Sequence, residues 1–323
     1  MDTLTSNRIT VWQNVSTQSF RQEILPLYKP AVLKGMVSDW PVVHKARESA
    51  QSVLHYLAEF DSGQPVNALL MRPEAGGRVF YDDSMQDFNY LHNRLPITQL
   101  INQLWRYSQL DVSPGLAVQS ALLSECMPGF VAENRLPLLP ENIAPRFWMG
   151  NKVITPAHFD ESHNIACVVA GKRRFTLFPP EQISNLYIGP LDFAPTGTPI
   201  SLVDFSNPDY EKFPRFKQAL QAALIADLEP GDALYIPPLW WHHVQSLQNV
   251  NALVNYWWRG DALTQQQSET VLPILLQSVK SLASLPEAER AAWRVLFDYY
   301  AFKTRDDTHA HIPPERLGIL KKT

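Results

Sequence analysis

The chain has 323 residues, of which 45% are hydrophobic and 19% charged, so it is globular rather than disordered. Its 28 basic and 32 acidic residues give a formal net charge of −4, and no long run of one sign occurs. This balance argues against an extended nucleic-acid or membrane-surface patch, so we expect neither DNA nor a membrane as a partner.

The cysteines and the first residues predict a cytoplasmic protein. Cys126 and Cys167 lie far apart, without the close spacing of a disulfide framework or of a thiolate zinc site. The start, MDTLTSNRIT, lacks the positive head and apolar run of a secretory leader. No apolar stretch reaches the roughly 18 residues that span a bilayer.

The first part of the chain is predicted to mix helices and strands. Residues 50–60 place Val53, Leu57 and Phe60 at helical spacing, and the segment ITQLINQLW repeats that apolar pattern. The segments PAVLKG and PVNALL are short and apolar, which is typical of strands. We therefore expect an N-terminal α/β decoration on one large domain, residues 1–260.

The predicted core of that domain is a β structure at about residues 147–258. Here the chain changes to short apolar segments broken by Gly, Pro, Asp and Asn, such as NIACVVAG, RFTLFPP, DALYIPP and NALVNYWW. The tripeptide PGD at 230–232 marks a tight turn before one of these segments. Serial short strands of this kind predict a β-sandwich or a small barrel.

Two helices are predicted in a C-terminal extension, residues 261–303. The first, in TVLPILLQSVKSLASL, is apolar with one internal proline. Ser284, Pro286 and Glu287 then open the second helix in the manner of a capping box. The polar tail, 304–323, is expected to be loosely held.

The second predicted helix carries an apolar stripe. The stripe consists of Trp293, Leu296, Phe297 and Tyr300. We interpret the pair of helices that carries this stripe as the contact that joins two copies of the chain into a homodimer, with packing inside one chain as the alternative.

The segment TPAHFDESHN at 155–164 holds a histidine and an aspartate two positions apart. On a strand, His158 and Asp160 project to the same face while Phe159 turns away. A further imidazole would complete the two-histidine, one-carboxylate triad of non-haem iron(II) oxygenases. The spacing alone is weak evidence, because a hydrogen-bonded His–Asp pair at a strand edge gives the same pattern.

The third metal ligand is expected from another strand. The segment WWHHVQS at 240–246 supplies two histidines that point to opposite faces, His242 and His243. Periodicity does not choose between them, and the histidine that is not a ligand is expected at the surface or behind the ligands.

Five motifs in this order resemble those of the Jumonji C type of Fe(II)- and 2-oxoglutarate-dependent oxygenase. They are TPAHFDESHN, GKRRFTLFPP, VDFSNPDYEKFPRF, PGDALYIPPLWWHHVQSL and NYWWRG. The likeness is strongest to the asparaginyl hydroxylase branch, which inhibits hypoxia-inducible factor, and to its bacterial cupin-like relatives. It extends from about residue 30 to the C-terminal helices and so covers most of the chain.

The resemblance implies a mainly β fold with helices, whose core is a double-stranded β-helix (jelly-roll, cupin-like) with iron near one mouth. Matched motif to motif, the iron ligands fall on His158, Asp160 and His242. The implied activity is a dioxygenase reaction, in which 2-oxoglutarate is decarboxylated to succinate and carbon dioxide while a substrate C–H bond is hydroxylated.

The resemblance also implies a binding site for 2-oxoglutarate. Its residues are Thr155, Asn164, Arg173 and Asn255. Arg173 stands where many relatives have a lysine, and a guanidinium can grip a carboxylate with two hydrogen bonds; Lys172 is the alternative cation. Ala117 replaces a family tyrosine, so we expect a rearranged cosubstrate pocket.

Gln119 and Trp257 are the residues expected on the substrate side of the site, and three functions remain open. The preferred function is a hydroxylase of a protein or peptide side chain. The alternatives are a hydroxylase of a small molecule or a tRNA nucleoside, and a cupin-like binding protein without catalysis. The complete set of metal ligands argues against the last, because a binding module has no need of it.

Overall fold

In a computed structural model, the described residues are 7–259, 271–302 and 311–318. The chain divides into two compact units, 1–269 and 270–323. The predicted domain boundary at residue 260 lies outside the described residues, as does much of the predicted tail. Among the helices that are described, none has the length and apolar character needed to cross a membrane.

The strands of the first unit are numbered in chain order. They are β1 (Asn7–Arg8), β2 (Thr10–Gln13), β3 (Ala31–Lys34), β4 (Val66–Met71), β5 (Tyr90–Leu95), β6 (Gly115–Leu122), β7 (Pro145–Gly150), β8 (Ile154–His158), β9 (His163–Ala170), β10 (Arg173–Phe178), β11 (Leu224–Leu228), β12 (Ala233–Ile236), β13 (Trp241–Ser246) and β14 (Asn251–Trp258).

The helices are numbered in the same way. The α-helices are α1 (Thr17–Ser19), α2 (Pro41–Glu48), α3 (Ala50–Ala58), α4 (Ile97–Ser108), α5 (Leu123–Cys126), α6 (Phe130–Glu133), α7 (Phe216–Ala222), α8 (Leu272–Leu282) and α9 (Glu287–Phe297). Short 3-10 turns span Leu25–Leu27, Pro73–Ala75, Pro180–Asn185 and Pro314–Arg316, and π turns span Phe20–Ile24 and Asp298–Phe302.

The strands form two sheets that enclose a common cavity. The larger sheet has the order β2-β3-β12-β9-β14-β7-β6-β4-β5, and the smaller has the order β1-β11-β10-β13-β8. Pairing is antiparallel except between β1 and β11 and between β2 and β3. Side chains from both sheets line the cavity, as in a jelly-roll. The predicted double-stranded β-helix core is confirmed.

Alternation along β9 explains how the larger sheet is buried on both faces. Ile165 and Cys167 pack with the N-terminal helices, whereas Ala166 and Val168 pack against the smaller sheet. Burial of Ile165 and of Val168 contributes about 1.5–3 kcal/mol each, which ties the two layers to the central strand. The same alternation places Asn164 on the inner face, towards the cavity.

The predicted N-terminal helices are confirmed. Helices α3 and α4 cover the larger sheet with the apolar faces that the sequence pattern indicated, burying Val53, Leu57, Leu100 and Leu104. Phe60 lies beyond the end of α3 and packs edge-on against Tyr56 and Phe130.

The predicted C-terminal helices are also present, but two details of their ends differ from the prediction. Pro273 lies in the first turn of α8, where its missing N–H costs no helical hydrogen bond, rather than in the helix interior. The capping box is wrong, because α9 begins at Glu287 with Pro286 as its N-cap and without a side-chain cap. Ser284 lies two residues before the N-cap, too early to accept from the first-turn amides.

None of the described residues of α8 and α9 is buried. Trp293 and Leu296 of the predicted stripe are each 47% exposed, which is unusual for large apolar side chains that share one helix face. We propose that this face joins two copies of the chain.

We expect Trp293→Asp and Leu296→Asp each to convert a dimer to a monomer, because a carboxylate buried at an apolar interface lacks a partner. Light scattering after size-exclusion chromatography measures the mass. Leu91→Asp is the matched control, because Leu91 is 73% exposed on β5, far from this face in sequence. A wild-type chain that elutes as a monomer contradicts the proposal.

Candidate metal centre

Three side chains, two from neighbouring strands and one from the loop that follows the first of them, meet in the cavity. His158 ends β8, Asp160 follows two residues later, and His242 lies near the start of β13. His158 and His242 are paired directly across the two antiparallel strands. Their ligand atoms and those of Asp160 all lie within 4.8 Å of one another.

Backbone carbonyls set the orientation of both imidazoles. Nδ1 of His158 lies 2.9 Å from the carbonyl of Pro156, and Nδ1 of His242 lies 3.0 Å from that of Trp240. A carbonyl oxygen only accepts, so each Nδ1 carries a hydrogen, and Nε2 is the ring nitrogen that remains to bind a metal. Burial and the neighbouring His242 lower the pKa of His158 to about 4, so its ring is neutral and able to bind a metal near pH 7.

The second histidine of the HH pair points away from the cavity. The ring of His243 is stacked on that of Phe205 with centroids 4.3 Å apart, and the residue is only 4% exposed. Burial lowers the pKa of His243 to about 3. A surface location for this histidine is therefore wrong, and the alternation that the sequence left open places His242 in the cavity.

A chain of hydrogen bonds holds the carboxylate of Asp160. The indole N–H of Trp257 donates to Oδ2 of Asp160 at 3.1 Å, and the amide of Asn164 donates to the same atom at 3.3 Å. The amide of Asn255 donates to Oδ1 of Asn164 at 3.3 Å, and Trp148 donates to Asn255 at 2.7 Å. Trp257, predicted on the substrate side, therefore also orients a candidate ligand.

The cavity around these groups has a volume of about 110 Å³. All of the residues predicted for the site line it, namely Gln119, Thr155, His158, Asp160, Asn164, Arg173, His242, Asn255 and Trp257. Sequence reasoning missed Trp148 and Thr196, which also line it. Alternation along β7 could have indicated Trp148, whereas Thr196 lies in a loop with no periodic signal.

Gln119 shares one face of β6 with Ala117, next to an irregular stretch of that strand. Its register with β7 shifts between Val118 and Ala121, and Ser120 has a left-handed backbone conformation with φ of 48°. Such a bulge redirects the side chains beside it. The guanidinium of Arg146 donates to the carbonyl of Ser120 at 3.1 Å, which holds the bulge in place.

Arg173 is a buried cation whose charge no acid in the described part of the chain compensates. It is 9% exposed, its Nε has no hydrogen-bond partner, and no carboxylate among the described residues forms an ion pair with it. Burial lowers its pKa to about 10, still far above neutral, so it stays charged. Its neighbours point outward, with Lys172 bound to Glu229 at 2.6 Å and Arg174 bound to Asp227.

Ala117, which replaces a family tyrosine, lies beside the predicted cosubstrate site. Together with Arg173 it lines a small adjoining cavity of about 30 Å³. That space is large enough for a water molecule. A larger side chain at position 117 would fill it.

The donor set fits the groups that the sequence implied. Two imidazoles and one carboxylate are the ligands of non-haem iron(II), although cobalt, nickel and zinc can bind the same set. An unpaired buried guanidinium is costly to a fold, and a carboxylate on a bound molecule would offset that cost.

Known proteins that resemble this chain include cupin-like and JmjC-domain proteins. A family profile described as a cupin-like domain matches residues 17–263. JmjC domain-containing protein D of Dictyostelium discoideum is 41% identical over 250 residues, which cover 72% of this chain and 52% of that protein. Human HSPB1-associated protein 1 is 24% identical over 293 residues, with 84% and 56% covered.

Lysine-specific demethylase 8 of Xenopus tropicalis is 26% identical over 251 residues, which cover 75% of this chain and 50% of that protein. The chain thus spans about half the length of the relatives it matches. The special likeness to the asparaginyl hydroxylase branch stays a prediction.

We expect Trp257→Phe to weaken Co(II) binding about tenfold, because the Asp160 carboxylate loses its indole donor. Isothermal titration calorimetry measures the affinity. Trp12→Phe is the matched control, since the indole N–H of Trp12 is buried without a hydrogen-bond partner and its removal breaks no bond. Equal affinities in the two variants would show that the Trp257 hydrogen bond does not support a metal ligand.

Proposed function

The chain belongs to the cupin-like domain family with JmjC-domain relatives, and from this premise we propose that it is an Fe(II)- and 2-oxoglutarate-dependent oxygenase that hydroxylates a protein or peptide side chain. One observation carries the proposal: a two-histidine, one-carboxylate triad and a buried, unpaired arginine line the same cavity. The triad suits iron(II), and the arginine needs an anion.

Different residues would bind the metal ion and the cosubstrate. His158, Asp160 and His242 would hold the ferrous ion, which when bound supplies the redox chemistry of dioxygen activation. Arg173 would bind the far carboxylate of 2-oxoglutarate, because a guanidinium can offer that group charge-assisted hydrogen bonds. The hydroxyl of Thr155 is a further donor in the cavity wall.

The asparagines of the cavity act through their mutual hydrogen bonds. Asn255 holds Asn164, and Asn164 holds the carboxylate of Asp160, so their amides keep the inner wall polar and ordered. Trp148 and Trp257 pack edge-on beside them with ring centroids 5.9 Å apart and exclude water from that wall. Together these groups orient a bound cosubstrate while they fix the aspartate.

The size of the cavity argues against enclosure of a whole small-molecule substrate beside the cosubstrate, and so favours a substrate that inserts only one side chain. Sites that enclose a whole small molecule have volumes of roughly 300–1,000 Å³, whereas this cavity holds about 110 Å³. Among the described residues that line it, Asp160 is the only acid, and its Oδ2 already accepts two hydrogen bonds. A neutral side chain therefore fits better than a cationic one.

We expect Asp160→Ala to lower succinate release from 2-oxoglutarate and Fe(II) by at least about 100-fold, because one of three ligands is lost. His243→Ala should keep most of the activity, since His243 lies outside the cavity. The assay is run alone and with peptides, tRNA and metabolites, so that stimulation identifies the substrate class. Equal loss in both variants would mean that the other histidine is the ligand.

Arg173→Ala is expected to raise the 2-oxoglutarate concentration for half-maximal turnover about tenfold or more, because at least one charge-assisted hydrogen bond to the far carboxylate is lost. Its binding of Co(II) should change little. Arg174→Ala is the matched control, because its exposed pair with Asp227 contributes little. If the two variants need the same concentration, another cation binds the far carboxylate.

A further inference from the structure

The loop at residues 189–201 forms one wall of the candidate metal centre. Thr196 lines the cavity, and its hydroxyl donates to the carbonyl of Thr198 at 2.7 Å. Because that hydrogen is already used, Thr196 offers a substrate only an accepting lone pair and a methyl group.

The same loop is bonded to the strand that carries the first ligand. The backbone N–H of Ser201 donates to the carbonyl of Ala157 at 2.8 Å, and the hydroxyl of Thr198 donates to the carbonyl of Phe159 at 2.8 Å. Ala157 and Phe159 are the residues on either side of His158. The loop thus follows the edge of β8 that β13 does not occupy.

The bond to Phe159 lies where the β-sheet no longer holds the backbone. Pairing of β8 with β13 ends at His158, opposite His242. The backbone from Phe159 to Asp160 therefore lies outside the hydrogen-bonded ladder of the two strands. The carbonyl of Asp160 is held from the other side by the amide of Leu239 at 2.8 Å. The Thr198 hydroxyl supplies the corresponding bond for Phe159.

An aromatic cluster fixes the far part of the loop. The rings of Phe193 and Phe88 stack with centroids 4.7 Å apart. The hydroxyl of Tyr81 donates to the carbonyl of Phe193 at 2.7 Å. The hydroxyl of Tyr90 lies 3.4 Å from the carbonyl oxygen of Pro195. Both tyrosines are buried, so the loop is anchored on the core and not on the metal ligands.

We propose that Thr198 is a positioning residue of the metal centre. Its hydroxyl holds the Phe159 carbonyl, and with it the backbone between His158 and Asp160, in the orientation that brings both side chains to one point. The aromatic cluster keeps Thr198 at the distance this bond requires. The inference rests on the metal centre proposed above.

The test is Co(II) binding by Thr198→Val, which keeps the size of the side chain and removes the hydroxyl. Calorimetry should show an affinity for Co(II) about tenfold weaker than in the wild type, and absorption spectroscopy should show altered d–d bands. Both follow because the side chains of His158 and Asp160 are no longer held in the same relative orientation. Thr198→Ser restores the hydroxyl and should restore both readouts.

Thr17→Val is the matched control, because the hydroxyl of Thr17 also donates to a distant backbone carbonyl, that of Pro137 at 3.1 Å, outside the site. If Thr198→Val and Thr17→Val bind Co(II) alike and give the same spectrum, the positioning role is overturned while the metal centre stands. A wild-type chain that binds no Co(II) overturns the metal centre and this inference with it.

Circular dichroism and thermal unfolding establish that each variant is folded. If Thr198→Val does not fold, Co(II) binding by Phe193→Leu tests the proposal instead. This substitution removes the stacking of Phe193 on Phe88 and leaves the Thr198 hydroxyl in place. Weaker Co(II) binding with shifted bands in that variant supports the proposal, and wild-type binding overturns it.

Discussion

The antiparallel pairing of β8 with β13 is the constraint on which the candidate site depends. It sets His158 directly opposite His242, although more than eighty residues separate them in the chain. Because side chains alternate along a strand, a slip of one residue in this register would turn His243 into the cavity instead. The smaller sheet prevents such a slip, since β13 pairs along its other edge with the whole of β10.

A rigid double sheet also makes it possible to keep an unpaired charge inside the molecule. Burial of Arg173 opposes folding, whereas its neighbours Lys172 and Arg174 are exposed and paired with acids on β11 or just after it. Apolar packing between the two sheets offsets that cost. A buried charge that nothing in the described part of the chain neutralises lowers the stability of the fold. Such destabilising features concentrate at functional sites.

The carboxylate of Asp160 depends on groups from three different places. Asn164 comes from β9, Trp257 from β14, and the loop at 189–201 holds the backbone just before the aspartate. Each of these supports is itself bonded to the core, through Asn255 in one case and the aromatic cluster in another. The ligand geometry is therefore set by the fold, which is the condition for a preorganised metal site.

Much of this arrangement was determined by the sequence alone. Short apolar segments with turn residues predicted the β core, the order of five motifs indicated the family, and the residues matched to it all line one cavity. Periodicity left the choice between His242 and His243 open, and the tertiary structure turns His242 into the cavity, as the resemblance implied. It also turns Arg173 inward and Lys172 outward, and it brings the loop residue Thr196 to the cavity wall. The physical reason is that local patterns give the alternation of side chains but not its phase. Phase comes from strand register and from loop contacts such as that of Thr198 with Phe159, which join residues far apart in the chain.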